Sequence, residues 1–138
     1  MARKALVLIA LSVLFAACSS GSGATSGPAG PASADRDKFV GTWVGNYGCP
    51  GIGDPLSDTL IIALGSGELD FSITIHSTFA NPDTLSGTLT SASEINLPEQ
   101  SMGGGTGTAK IKLQGDVLEF QATGLGLTCG GTDYAKAP

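Results

Sequence analysis

The chain has 138 residues, 41% hydrophobic and 14% charged, with 7 Lys and Arg against 12 Asp and Glu, for a net charge of −5. At roughly 100–200 residues per domain this is one folded unit, since two would each be too small to bury a core. An acidic surface repels phosphate, which excludes nucleic acid as a partner and leaves nothing basic to hold the folded part on anionic lipid.

Arg3 and Lys4 lead into the apolar-rich residues 5–17, which end in Phe15-Ala16-Ala17 directly before Cys18. The run is too short to span a bilayer, which takes about 20 residues. A positive start, a short apolar helix and small residues before a cut make residues 1–17 a secretory signal. With a cysteine immediately after the two alanines, the segment resembles a bacterial lipoprotein signal, with Phe15 where leucine is usual. That resemblance implies cleavage before Cys18, acylation of Cys18 by palmitate-type chains and attachment to the cell envelope. With Ser19 next, it further implies the outer membrane of a diderm bacterium. Each buried CH₂ contributes about 0.8 kcal/mol and one chain binds only marginally, so two or three chains would anchor the protein firmly. Loss of Arg3 and Lys4 with the signal leaves five basic residues against all twelve acids, a balance of −7.

Residues 18–34 open on the cysteine and continue with Ser, Gly, Ala, Pro and one Thr, and no charge. Such a stretch cannot bury enough apolar surface to fold, and reads as a disordered tether with a coil length of roughly 20–25 Å. The folded domain is then residues 35–138.

From Phe39 onward the apolar residues recur with period two, broken by Gly, Pro, Asn and Asp, which predicts an antiparallel all-β domain. Residues 39–47 set Phe39, Gly41, Trp43, Gly45 and Tyr47 on the inner face. After a loop over 50–55, residues 58–64 place Leu60, Ile62 and Leu64 together. Residues 68–77 alternate Leu69, Phe71, Ile73 and Ile75 with Glu68, Asp70, Ser72, Thr74 and His76, so one face is core and the other wet. Residues 84–90 turn Leu85, Gly87 and Leu89 inward, and residues 93–97 offer Ile95 and Leu97 before Pro98 ends the strand. Residues 108–114 oppose Ala109, Ile111 and Leu113 to Lys110, Lys112 and Gln114. Gly115-Asp116 makes a tight turn into residues 116–122, with Leu118 and Phe120 opposite Val117. Residues 125–129 with Tyr134 form the last strand.

About eight short strands in sequence suit an up-and-down β-barrel, because closure removes exposed edges. With Cys18 assigned to lipid, Cys49 and Cys129 remain as a pair in an oxidising compartment, and an even remainder suggests one disulfide, two buried free thiols being the alternative. Closing the barrel would bring the ends of the first and last strands together, where these cysteines lie.

The run Phe39-Val40-Gly41-Thr42-Trp43 resembles the opening strand of lipocalin-like (calycin-type) barrels, in which the tryptophan plugs the barrel base. The resemblance implies a small lipocalin-like barrel that binds a ligand. This folded part is shorter than a full lipocalin, and the sequence places no basic residue in the last strand to stack on Trp43. The chain is similar also to the small periplasmic inhibitors of bacterial metalloproteases, disulfide-bearing barrels with an early Gly-x-Trp. There the disulfide ties neighbouring early strands, whereas here the cysteines sit near opposite ends of the domain.

Little in the chain points to catalysis. The only histidine, His76, lies on a polar strand face without a nucleophile and an orienting group. Asp54 with Asp58, or Glu68 with Asp70, would be the carboxylate pair of a glycosidase, but both read as solvated. No loop offers ligands at every second position for calcium, and Gly103-Gly104-Gly105 and Gly130-Gly131 lack the helix and lysine of a phosphate cradle. We therefore expect no enzyme, no metal and no cofactor. The expected activity is binding of a small apolar ligand through Trp43, Phe71, Ile73 and Phe120, with Gly41, Gly45, Gly87 and Ala109 leaving space inside. The rival expectation is a protein-interaction module, an inhibitor or an envelope structural part, acting through residues 80–84 and 99–107.

Overall fold

Eight strands follow one another in a meander: β1 (Gly41–Cys49), β2 (Ile52–Leu64), β3 (Asp70–Ser77), β4 (Asp83–Ser91), β5 (Glu94–Met102), β6 (Gly105–Gln114), β7 (Val117–Gly124) and β8 (Leu127–Lys136). Each pairs antiparallel with the next and β8 returns to β1, so the sheet is a closed barrel, as the alternation predicts. The computed structural model describes residues 30–78 and 81–138. The signal, Cys18 and nearly all of the tether lie outside the described residues. A 3₁₀ helix, Ser33–Lys38, spans the expected tether boundary and leads into the barrel base.

The inward set is the predicted one over most of the barrel. Trp43, Leu60, Ile62, Phe71, Ile73, Leu85, Leu89, Ile95, Leu97, Ile111, Leu118 and Phe120 are all buried, with Phe39 and Tyr134. Leu64 departs, half exposed at the end of β2, where the inner face runs out at the base rim.

The base is a plug. The rings of Phe39 and Phe71 meet edge to face at 5.8 Å, and the Trp43 indole N–H donates to the Phe39 carbonyl oxygen at 2.8 Å. Arg36 lies 5.5 Å over the Phe71 ring and its Nη2 donates to the Asp70 carbonyl oxygen. One expectation is corrected here. Lys136 is the last residue of β8, and its Nζ stands 5.3 Å over the Trp43 ring, so the last strand does supply a basic residue to the tryptophan. The sequence pattern fades after Tyr134, but the ladder runs two residues further because Trp43 pairs opposite Lys136.

Two predicted loops and one predicted stop are strand. β2 begins at Ile52 instead of after Pro55, because its upper half pairs with β1 alone and Pro55 needs no donor on the other side. Pro98 does not end β5, since it sits in a register shift between Leu97 and Gln100, where a missing N–H breaks no ladder bond. Residues 99–107, expected to be a free binding loop, are therefore mostly the β5–β6 hairpin, turned by Gly103 and Gly104 at φ 60° and 84°.

The interior is filled where glycines had suggested room. A Cβ at Gly45 would stand 2.7 Å from the Tyr134 ring, and one at Gly87 would stand 2.8 Å from Ile95 and 3.1 Å from Ile73. These glycines are small because large neighbours lie over them, so enlarging them would overpack the core, not block a pocket.

The seam between β1 and β8 is the irregular one. Its ladder shifts register between Val44 and Gly48. Gly130 and Gly131 are required there, since a side chain at either would collide with the carbonyl oxygen of Phe120 or Asn46. Beside the Gly48–Gly130 pair, Cys49 and Cys129 are joined in a disulfide across 80 residues of sequence, at the mouth end of the seam.

Candidate functional site

Above the filled base, the mouth holds a cavity of about 150 Å³. Its apolar wall is Tyr47, Ile75, Met102, Phe120 and Ala122, and its polar groups come from Asp58, Ser77, Asn81 and Asp83. The rings of Tyr47 and Phe120 lie 5.7 Å apart. Tyr47 also lines a cleft of about 220 Å³ on the β1–β2 side and one of about 160 Å³ on the β6–β8 side. The strands splay here. The β4–β5 ladder runs only from Thr88 to Ser91, and above it the Gln100 side chain substitutes for backbone by pairing with the N–H and carbonyl oxygen of Ser86, each at 2.8 Å. At the rim, the Gly103 N–H donates to Asp83 at 3.0 Å.

Asp58 is the residue that the sequence reading placed in water, and the structure corrects it. It shares the parity of Leu60 and Ile62, points into the barrel and is 2% exposed, whereas Asp54 is exposed in the β1–β2 cleft that both residues line. The Tyr134 hydroxyl donates to Asp58 Oδ2 at 2.7 Å, while Oδ1 is buried with no hydrogen-bond partner. Burial raises the Asp58 pKa above the usual carboxylate range, opposed by the Tyr134 hydrogen bond, the nearby Thr59 N–H and the charge of His76. Burial and then Asp58 raise both tyrosines, so Tyr47 and Tyr134 stay protonated.

This perturbation has a sign. A carboxyl with a higher pKa folded than unfolded holds its proton more tightly in the native state. The stability it contributes is full below the unfolded value of about 3.9 and is lost as pH rises through the folded value. Asp58→Asn, which keeps an oxygen acceptor for Tyr134, is expected to remove this loss and to be more stable than the parent at neutral pH. Urea unfolding of both proteins between pH 3 and 7 checks this. A constant difference in midpoint across the series would refute it.

The four residues expected to hold ligand share one buried core cluster, and of them only Phe120 also lines the mouth cavity. Asp58 and Tyr134 were missed as a site. The signal was the parity of Asp58 with two inward aliphatics, but its partner lies 76 residues away on another strand. His76 is exposed on β3 opposite Thr59, and Glu68 is exposed. Among the described residues no three His, Cys, Asp or Glu side chains converge as a metal would require.

No family model matches the chain, and no curated protein matches it. Solved structures do. A fatty acid binding protein of Schistosoma mansoni in complex with arachidonic acid aligns with a TM-score of 0.52 at 14% identity, over 75% of this chain and 99% of that one. Fatty-acid-binding protein 1 of Echinococcus granulosus aligns at 0.49 and 14%, over 74% and 99%. The fold is that of the lipocalin and fatty-acid-binding barrels, which is the likeness the Gly-x-Trp strand suggested.

Proposed function

We propose that the protein is a non-enzymatic, membrane-anchored envelope lipoprotein that holds one small apolar molecule in the mouth of its barrel. The observation that carries this reading is the cavity of about 150 Å³ walled by Tyr47, Ile75, Met102, Phe120 and Ala122 above a base with no room. A barrel of eight strands has space for its own side chains or for one small ligand, and here the plug takes the lower part. An apolar cavity of about 150 Å³ suits a molecule the size of benzene, well below the roughly 300 Å³ at which drug-sized sites begin. The fold's likeness to a fatty acid binding protein in complex with arachidonic acid supports binding of an apolar molecule by the barrel. The signal-like start and Cys18 support lipid anchoring at the outer membrane, with the tether carrying the barrel clear of it.

One observation favours the rival reading. Ile52, Leu125 and Leu127 stand exposed at the same end, Leu125 at 87%, and a protein partner would cover them. Native mass spectrometry of residues 19–138, which contain every strand, the plug and the disulfide, separates the two readings after purification from a bacterial periplasm. A retained small molecule on a chain two hydrogens lighter than its reduced mass is the expected result. A bare disulfide-bonded mass would turn the assignment to protein interaction.

A further inference from the structure

We propose that the mouth selects a small apolar molecule carrying a protonated amine, whose N–H donates to Asp58; this rests on the ligand-binding reading above. A buried carboxylate has acceptor sites for several donors, and Asp58 has one side-chain donor, the Tyr134 hydroxyl at 2.7 Å, with the Thr59 N–H nearby. Its Oδ1 is buried and unpartnered, an arrangement that is unfavourable until a donor arrives. Among the described residues no Lys or Arg lines the cavity, and Asp83 adds a second carboxylate at the rim. A carboxylate ligand would bring a third negative charge into a low-dielectric cup, whereas an ammonium is attracted by both acids and by the faces of Tyr47 and Phe120. Oδ1 is closed to water, and Tyr47 stands in the wall of the cavity and of the clefts on both sides, so binding at Oδ1 requires a change in the Tyr47 side chain. The raised pKa of Asp58 agrees with a group stabilised in its ionised form only when an ammonium is bound.

Benzylamine, benzyl alcohol and benzoate share one ring and differ in the group offered to Asp58. Calorimetric titration of the purified, oxidised protein is expected to give benzylamine at least about tenfold tighter binding than benzyl alcohol, with no heat from benzoate, since a hydrogen bond to a charged group discriminates by that factor or more. Asp58→Asn is expected to erase the advantage of benzylamine over benzyl alcohol. Benzoate binding as tightly as benzylamine, or an Asn variant that keeps the preference, would overturn the amine assignment and leave a carrier of apolar molecules. A parent protein that takes none of the three would overturn the carrier reading itself. The ligand series on the parent protein decides the matter even where the variant fails to fold.

Discussion

Replacing both Cys49 and Cys129 with serine is expected to remove roughly 4.5 kcal/mol of stability, the loop-closure entropy that a bond across 80 residues takes from the unfolded chain. Net stabilities of small domains are about 5–15 kcal/mol, so the change would take a large part of the whole. It would lower Tm by upwards of about 20 °C in a domain of this size. The location adds to the argument. The other seven interfaces of the barrel join strands that are neighbours in sequence, so hairpin turns hold them in register. The β1–β8 seam has no turn, its ladder is interrupted between Val44 and Gly48, and the disulfide sits just beyond that gap at the mouth end. Urea unfolding of the parent and the double serine variant, each with and without reductant, measures the effect. Midpoints that agree within error would show that the remaining seam ladder and the plug close the barrel without the bond. The same experiment predicts where opening starts. Loss of hydrogen-exchange protection on reduction should begin at Gly48 and Gly130, not at the base.

Trp43→Ala is expected to cost about 4 kcal/mol, within the range for removing a buried large aromatic from a packed core. Three contributions combine in that figure. The indole fills the centre of the base among Phe39 and Phe71, its N–H satisfies the buried carbonyl of Phe39, and its face receives Lys136. Trp43→Phe keeps most of the volume and loses the hydrogen bond, so about 1–2 kcal/mol is expected. Lys136→Met removes a cation from an exposed position over the ring, for about 0.5–1 kcal/mol. The order Ala, Phe, then Met at 136 in chemical denaturation checks the assignment. Equal losses for the Ala and Phe variants would mean that the hydrogen bond, not packing, holds the plug. Because Trp43 does not line the mouth, ligand binding should persist in any variant that stays folded at the temperature of the titration.

Much of this fold was legible residue by residue. Leu69, Phe71, Ile73 and Ile75 alternate with polar residues, and a strand with period two has one choice of inner face; Phe71 and Ile73 take it, with Ile75 at the mouth. Gly115-Asp116 turns β6 into β7 where the sequence places it. Eight strands in succession with two cysteines near the ends suited closure, and the bond lies where closure puts it. The misreadings have local causes. Pro98 normally stops a ladder, and only a register shift set by β6 lets β5 continue past it. Lys136 follows a weak pattern, and only its pairing with Trp43 at the far end of the chain makes it strand.

The candidate site was hardest to read, for a related reason. Parity alone turns Asp58 inward, but a charged residue is read as solvated unless its partner is known, and Tyr134 becomes that partner only when β8 closes against β1. Gly45 and Gly87 looked like free volume because a sequence shows what a residue lacks, not which side chain leans over it. The sequence by itself determined most of the strands, their inner faces and the pair of cysteines, because these follow from a backbone period and from counts, while the plug tryptophan came from the likeness of its strand to lipocalin-like barrels. Only the tertiary structure decided how much of the interior is empty and which polar group faces the remainder. That volume is what side chains from strands far apart in the chain fail to fill when they interdigitate, and no local period encodes it.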